Sequence, residues 1–280
     1  MKRESNKKAS TRGGKLISAV YNSVTQFWGA INGKAIQEGW HNSSNSRNFD
    51  FCGTASFDEA TELLLQGDRA AADKVLRDVA AIKRLINKQA KRQRVETGVV
   101  GFAPNVPNYL AGVPRSMITA KPAERKDKVI NVVYNFGAAW TISTEDMIKA
   151  VINLAGAVYA LEAGGARVNL YGGCCTWYKN DEVGVFVKVK NASQPMDTLK
   201  MIYPLGHPSM LRRHSFRWYE VTKGIPSGFK KTFGHCCSIS NFAQIAAAAG
   251  IKCDRAIDCN IASKNDYKAL AKMIDTGVIV

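Results

Sequence analysis

The chain has 280 residues, 46% of them apolar and 22% charged, with a formal net charge of +16 from 39 Lys and Arg against 23 Asp and Glu. That size and composition permit a substantial core and exclude a fibrous or low-complexity chain. No apolar run reaches the roughly 18 residues of a membrane-spanning helix, and the charge excess points to an anionic partner, nucleic acid first.

Met1 to Lys15 carries Lys2, Arg3, Lys7, Lys8, Arg12 and Lys15 against Glu4, and it lacks the apolar stretch of a secretory signal. It reads as a basic flexible arm, either a solvated tail or a segment that lies along phosphates. Residues 16–128 read as a helical and extended region packed on a core at 129–280. Tyr21, Phe27, Trp28 and Trp40 are apolar anchors, Asn42 to Asn48 is a polar loop, and Phe49 to Gly53 is a short strand. Ser56 caps a helix through Leu65. A second helix runs from about Arg69 to Arg94 on an apolar stripe of Val75, Val79, Ile82 and Ile86. Its C-terminal end holds Lys83, Arg84, Lys88, Lys91, Arg92 and Arg94. Cations there suit the helix dipole, and six exceed what capping needs, so a phosphate-facing end is the second reading. Val95 to Pro122 is Gly/Pro-punctuated and expected to wrap over the core with Tyr109 and Leu110 tucked in. A charged linker follows to Lys128.

Val129 to Tyr171 reads as strand, helix, strand. Ser143 is an N-cap with acids in the first turn, and Met147, Val151, Leu154, Val158 and Leu161 form a buried stripe. Gly164 or Gly165 supplies the C-cap, and the two β-branched strands are expected to be parallel neighbours. Gly172-Gly173 is expected to end the second strand, with Cys174 to Asn180 as a loop. Val183 to Lys190 alternates as a half-exposed strand whose outer face carries Phe186, Lys188 and Lys190. Ser193 to Leu205 gives a turn and short helix, Ser238 to Ala249 a capped helix, Ala256 to Cys259 a strand, and Ser263 to Ile274 a last helix. The expected fold is α/β: a central mixed, partly parallel sheet flanked by helices, with an N-terminal helical extension.

The stretch richest in binding chemistry is Lys200 to Phe233. Arg212, Arg213, Arg217, Lys230 and Lys231 interleave with Phe216, Trp218, Tyr219, Phe229 and Phe233, and Glu220 is the sole acid. Cations neutralise phosphates and aromatic faces stack bases without regard to sequence, provided the rings are exposed. The competing reading is a strand whose Phe216 and Trp218 face the core. No Walker-type loop, dinucleotide fingerprint or His-Glu-x-x-His occurs. His235, Cys236, Cys237, Cys253 and Cys259 offer ligand types at spacings that match no common zinc knuckle, so buried thiols are the better reading. Seven cysteines, an odd number that includes two adjacent pairs, fit a reducing, intracellular setting. Asp181-Glu182 and Asp254/Asp258 are too sparse for two-metal chemistry.

Ala160-Leu161-Glu162-Ala163-Gly164-Gly165-Ala166-Arg167-Val168 resembles the bend into the second strand of von Willebrand A-type domains. Those domains carry Asp-x-Ser-x-Ser after the first strand. Asn135-Phe136-Gly137-Ala138-Ala139 stands here instead, so the resemblance implies no metal site. Phe51 to Ala60, the Val129 to Tyr171 unit and His207 to Arg213 resemble the single-stranded-DNA-binding regulators of podovirus-type phages that carry a virion RNA polymerase. That resemblance implies sequence-independent binding in viral transcription and replication, in the cytoplasm of an infected bacterium.

The resulting expectation is a non-enzymatic, non-sequence-specific single-stranded nucleic-acid-binding protein, DNA before RNA. It needs no cofactor, metal or membrane, forms a homo-oligomer, and has a phage RNA polymerase as a candidate partner. The expected contacts are Arg212, Arg213, Arg217, Trp218, Tyr219, Phe229, Lys230 and Lys231, with Lys88, Lys91, Arg92 and Arg94. The alternative is a structural adaptor that recruits a polymerase or other protein.

Overall fold

The computed structural model describes residues 6–36, 43–44, 52–93, 95–120, 128–138, 141–231, 235 and 237–277. The N-terminal part holds β1 (Asn6–Ala9), β2 (Lys15–Tyr21), α1 (Val24–Ile31), α2 (Phe57–Gln66) and α3 (Arg69–Gln93). A small excursion follows: β3 (Val95–Gly98), β4 (Ala103–Pro104), α4 (Val106–Leu110) and β5 (Met117–Ala120). The remainder is β6 (Val129–Asn135), α5 (Thr144–Ala163), β7 (Arg167–Tyr178), β8 (Asp181–Lys190) and α6 (Thr198–Gly206). A π-helical stretch, Met210–Ser215, then runs into α7 (Phe216–Val221), followed by α8 (Ile239–Ala248), β9 (Arg255–Asp258), α9 (Cys259–Lys264) and α10 (Tyr267–Thr276).

The main sheet is mixed, in the order β1-β2-β8-β7-β6-β9. β6 is parallel to both β7 and β9, β2 is parallel to β8, and the β7/β8 and β1/β2 pairs are antiparallel. The expected parallel unit is therefore present, joined through α5. Ser143 Oγ accepts from Asp146 N at 3.1 Å, and Gly165, at φ 95°, provides the left-handed turn after the helix. Ala150, Ala155 and Ala157 are buried beside the expected stripe, because α3, α6, α9 and α10 pack around α5 as well as the sheet. Gly156 permits this: a Cβ there would lie 2.7 Å from Tyr267 Cβ and 3.1 Å from Ile82 Cγ2. α8 covers the opposite face, setting Phe242 and Ile245 against Leu16, Val133, Phe186 and Ala256.

Several expectations give way here. β7 runs straight through Gly172-Gly173 to Tyr178. A side chain at Gly173 would collide with the Phe186 ring and sit 2.9 Å from the Val185 carbonyl oxygen. These glycines make room for a cross-strand neighbour and do not form a turn. β8 is covered on both faces rather than half-exposed, with Phe186 fully buried and Lys190 held by Glu162 at 2.6 Å. The N-terminal arm contributes a β-hairpin to the sheet, so the sheet crosses the boundary expected at residue 128. Thr11 N and Oγ1 donate to the buried Glu182 carboxylate, and Arg12 stacks 4.1 Å over Trp177. α9 was not expected from the sequence. The strand expected over 49–51, Trp40, most of the 42–48 loop and the 121–127 linker lie outside the described residues.

Candidate nucleic-acid interface

The structure places the basic-aromatic motif in the interior. After Pro208 the chain turns into one helical rod, π-helical at Met210–Ser215 and α-helical at Phe216–Val221. The rod is wedged between the N-terminal segments and the sheet. Arg212, Arg213, Trp218, Tyr219 and Phe229 are all buried, so in this fold they do not form the expected binding surface. The alternation at 216–219 suggested a strand with one outward face, but a helix inserted on all sides has no such face. Trp218 Nε1 donates to Tyr21 Oη at 2.8 Å, Tyr219 Oη lies 3.3 Å from Cys174 Sγ, and Phe229 packs against Tyr178.

The buried cations have a structural task. Arg213 Nε donates to Thr54 Oγ1 at 2.7 Å, Nη1 to the Ser43 carbonyl at 2.9 Å and Nη2 to the Thr54 carbonyl at 2.6 Å. About two turns on, Glu220 accepts from Ser43 N at 2.7 Å and Ser43 Oγ at 2.5 Å. Arg217 pairs with Glu220 at 3.7 Å, donates to Ser44 Oγ at 3.1 Å and caps the Phe57 ring at 4.5 Å. Ser209 Oγ donates to the Cys52 carbonyl at 2.6 Å. These contacts tie residues 36, 43–44 and 52–54 to the rod. His214 is enclosed beside them, its Nδ1 3.0 Å from Tyr203 Oη and its Nε2 3.4 Å from Thr61 Oγ1. Burial, reinforced by His207, Arg213 and Arg217, pushes its pKa down to about 3. His207 is lowered as well, by burial.

What remains outside is the basic end of α3. Ala72, Val75, Val79 and Ile86 face the core, and Arg77, Lys83 and Arg84 are exposed. Helical spacing sets positions 77, 84, 88 and 91 on one face opposite that stripe. From Val79 to Gln93 the helix contains five cations, Lys83, Arg84, Lys88, Lys91 and Arg92, and no acid. The side chains of Lys88, Lys91, Arg92 and Lys230, and the whole of Arg94, lie outside the described residues. Lys231 is exposed at the end of a 3-10 turn, apart from α3 in sequence. Arg77 is the position sequence reading missed, and its i, i+7 spacing from Arg84 was the available signal.

Other sites supply little chemistry. A cleft of about 590 Å³ lies between α1, β8 and α6, and its charged lining is Lys188, Lys190 and Lys200. Lys190 is committed to Glu162 and two carbonyls, and no carboxylate or nucleophile faces it across the cleft. Where a von Willebrand-type metal motif would begin, Asn135 Oδ1 accepts from Gly137 N at 2.9 Å and closes its own turn. No group of three metal-ligating side chains occurs among the described residues. Their six cysteines are in no disulfide, and burial raises the Cys253 and Cys259 thiols to about 11. No described helix is long and apolar enough to cross a membrane.

The chain belongs to a family described as a domain of unknown function, DUF7192, whose match spans residues 3–272. No curated protein and no solved structure matches it.

Removing Arg213 leaves three buried hydrogen-bonding contacts without their donor, at about 1–3 kcal/mol for each acceptor stranded. Arg213→Ala is therefore expected to lower the urea-unfolding free energy by about 3 kcal/mol or more. Arg213→Lys should recover little, since an ammonium cannot span the same three acceptors. Unchanged stability with lost oligonucleotide binding would return Arg213 to a surface role. His214 gives a pH signature. Its folded pKa lies below the usual 6.5, so the stabilisation is complete above about pH 6.5 and is lost as pH falls towards 3. Between about pH 7.5 and 5 the unfolded chain takes up a proton that the folded chain refuses, a loss of about 2 kcal/mol from this residue. Urea titrations at the two pH values should show that difference shrinking by a similar amount in His214→Gln.

Proposed function

We propose that the protein binds single-stranded nucleic acid without sequence preference and without catalysis, and that the basic C-terminal half of α3 is its principal phosphate contact. The observation that carries this is the unbroken run of five cations and no acid on the last 15 residues of a helix whose opposite face is locked into the core. A helix pinned on one side presents its other side as a rigid track. Positions 77 to 91 extend over about 21 Å, enough for several successive phosphates of an extended strand.

The net charge of +16 supports the same reading. A polyanion relieves the self-repulsion of such a chain and draws it to the site from a distance. Lys231, exposed after α7, adds to the positive field. The resemblance to phage single-stranded-DNA-binding regulators supports DNA over RNA. On that reading the protein works in viral transcription and replication inside an infected bacterium, with a phage RNA polymerase as a partner. The parallel unit of β6, α5 and β7 serves as scaffold, in keeping with the absence of an acidic motif after β6.

Fluorescence anisotropy of labelled single strands and duplexes across a salt series tests the proposal. Four phosphate contacts predict a log–log slope of about −3 for single strands. Arg84→Ala/Lys88→Ala should flatten the slope by about 1.4. It should also weaken binding about tenfold, leaving stability within about 0.5 kcal/mol, since Arg84 is exposed and position 88 falls on the same helical face. No binding at low salt, or a slope untouched by the double variant, overturns it.

A further inference from the structure

The excursion between α3 and β6 is ordered yet has no interior. β3, β5 and β4 form a three-stranded antiparallel sheet, with α4 inserted before β5. Phe102 N donates to the Ile118 carbonyl at 2.9 Å and Asn105 N to the Ser116 carbonyl at 2.7 Å, so the backbone is knitted together. Gly101 lies so close to the Ile118 carbonyl that no Cβ fits there. Even so, no described residue from 96 to 119 is buried. Tyr109 and Leu110, expected to tuck inward, are 69% and 79% exposed, and Val99, Val100 and Phe102 are exposed with them at 70%, 81% and 71%. Small sheets of this size hold in water when an apolar face is covered. Among the described residues none covers this one.

We infer that a second copy of this chain covers the arm, so that the protein dimerises through residues 95–120. Three observations select that occupant. The first is area. Val106 and Val113 join the five residues above, and roughly 150 Å² for each ring and 100 Å² for each aliphatic side chain, scaled by their exposures, gives on the order of 500 Å². That is near the upper end for the largest apolar patch of a typical monomer, and two copies together reach the roughly 1,000 Å² of a specific interface. The second is charge. Two copies of a +16 chain repel each other at most faces, but residues 95–120 contain only Glu96 and Arg115. A two-fold contact brings both arms together as a neutral surface in which each acid of one copy has a base of the other available. The third is the edges. Among the described residues β3 and β4 each have a single neighbour, β5, so two strands with unpaired backbone flank the apolar face. Aliphatic side chains outnumber the two rings, which favours a protein surface over a stack of bases.

This dimer does not depend on nucleic-acid binding, and it sets the two α3 tracks at the base of one shared apolar junction.

Sedimentation velocity on the full chain, freed of nucleic acid and run in high salt to screen the net charge, tests the inference. A species of twice the chain's mass is expected, concentration-dependent in the micromolar range or tighter. Val100→Asp and Leu110→Asp each bury two uncompensated carboxylates in a two-fold contact and should raise the dimer dissociation constant at least about 100-fold. Their circular dichroism spectra should match the wild type's, since neither side chain packs on its own chain. A wild type that stays monomeric, or a dimer that survives both variants, overturns the inference. So does a monomer whose arm variants lose binding only to anionic vesicles or to single strands, which would assign the arm to a membrane or to nucleic acid.

Discussion

A guanidinium taken out of water must have its hydrogen-bonding sites matched, and in this protein that requirement binds the two halves of the chain together. Arg213 has no exposed surface, and its acceptors, Thr54 and the Ser43 carbonyl, come from segments about 160 residues earlier. Glu220 reaches back to Ser43 from the other side. Neither charge is tolerable unless residues 43–44 and 52–54 are in place. The π-helical turn fits the same need, since an extra residue per turn lets consecutive Arg212, Arg213 and His214 all face protein. A network of this kind adds modestly to net stability but strongly penalises alternative arrangements of the N-terminal region.

The same network explains where sequence reading succeeded and failed. The β6–α5–β7 unit was legible because its signals are local: a Ser143 cap, a stripe at helical spacing, and glycines after the last turn. The helices at 57–66, 69–93 and 239–248 were legible for the same reason. The Arg212–Tyr219 motif was misplaced because composition carries no information about burial when cations are paired by residues far off in sequence. Gly172-Gly173 suggested a turn because the ring that needs the space, Phe186, lies on the next strand. Tyr109 and Leu110 were expected inside because large apolar residues usually are. Their exposure is visible only once the arm is seen to have no layer of described residues over it.

Removing the 212–219 cations from the surface moves the functional emphasis to a helix whose inner face is core and whose C-terminal half carries cations and no acid. The physics of the two regions is opposite. Inside, Arg213 is fixed by three short hydrogen bonds and its loss is felt as stability. On α3, Arg77 and Arg84 are exposed, contribute little to folding, and are free to neutralise phosphate. The arm that grows from the end of α3 adds a third kind of surface, neutral and apolar, so one continuous stretch from residue 69 to 120 carries an anchoring face, a charged face and an association face.

Photo-crosslinking a bound single-stranded oligonucleotide and mapping the attached peptides by mass spectrometry tests the central claim most directly. The account predicts adducts within residues 77–94 and none within 208–221. Adducts concentrated on 208–221, in protein that remains folded, would contradict it.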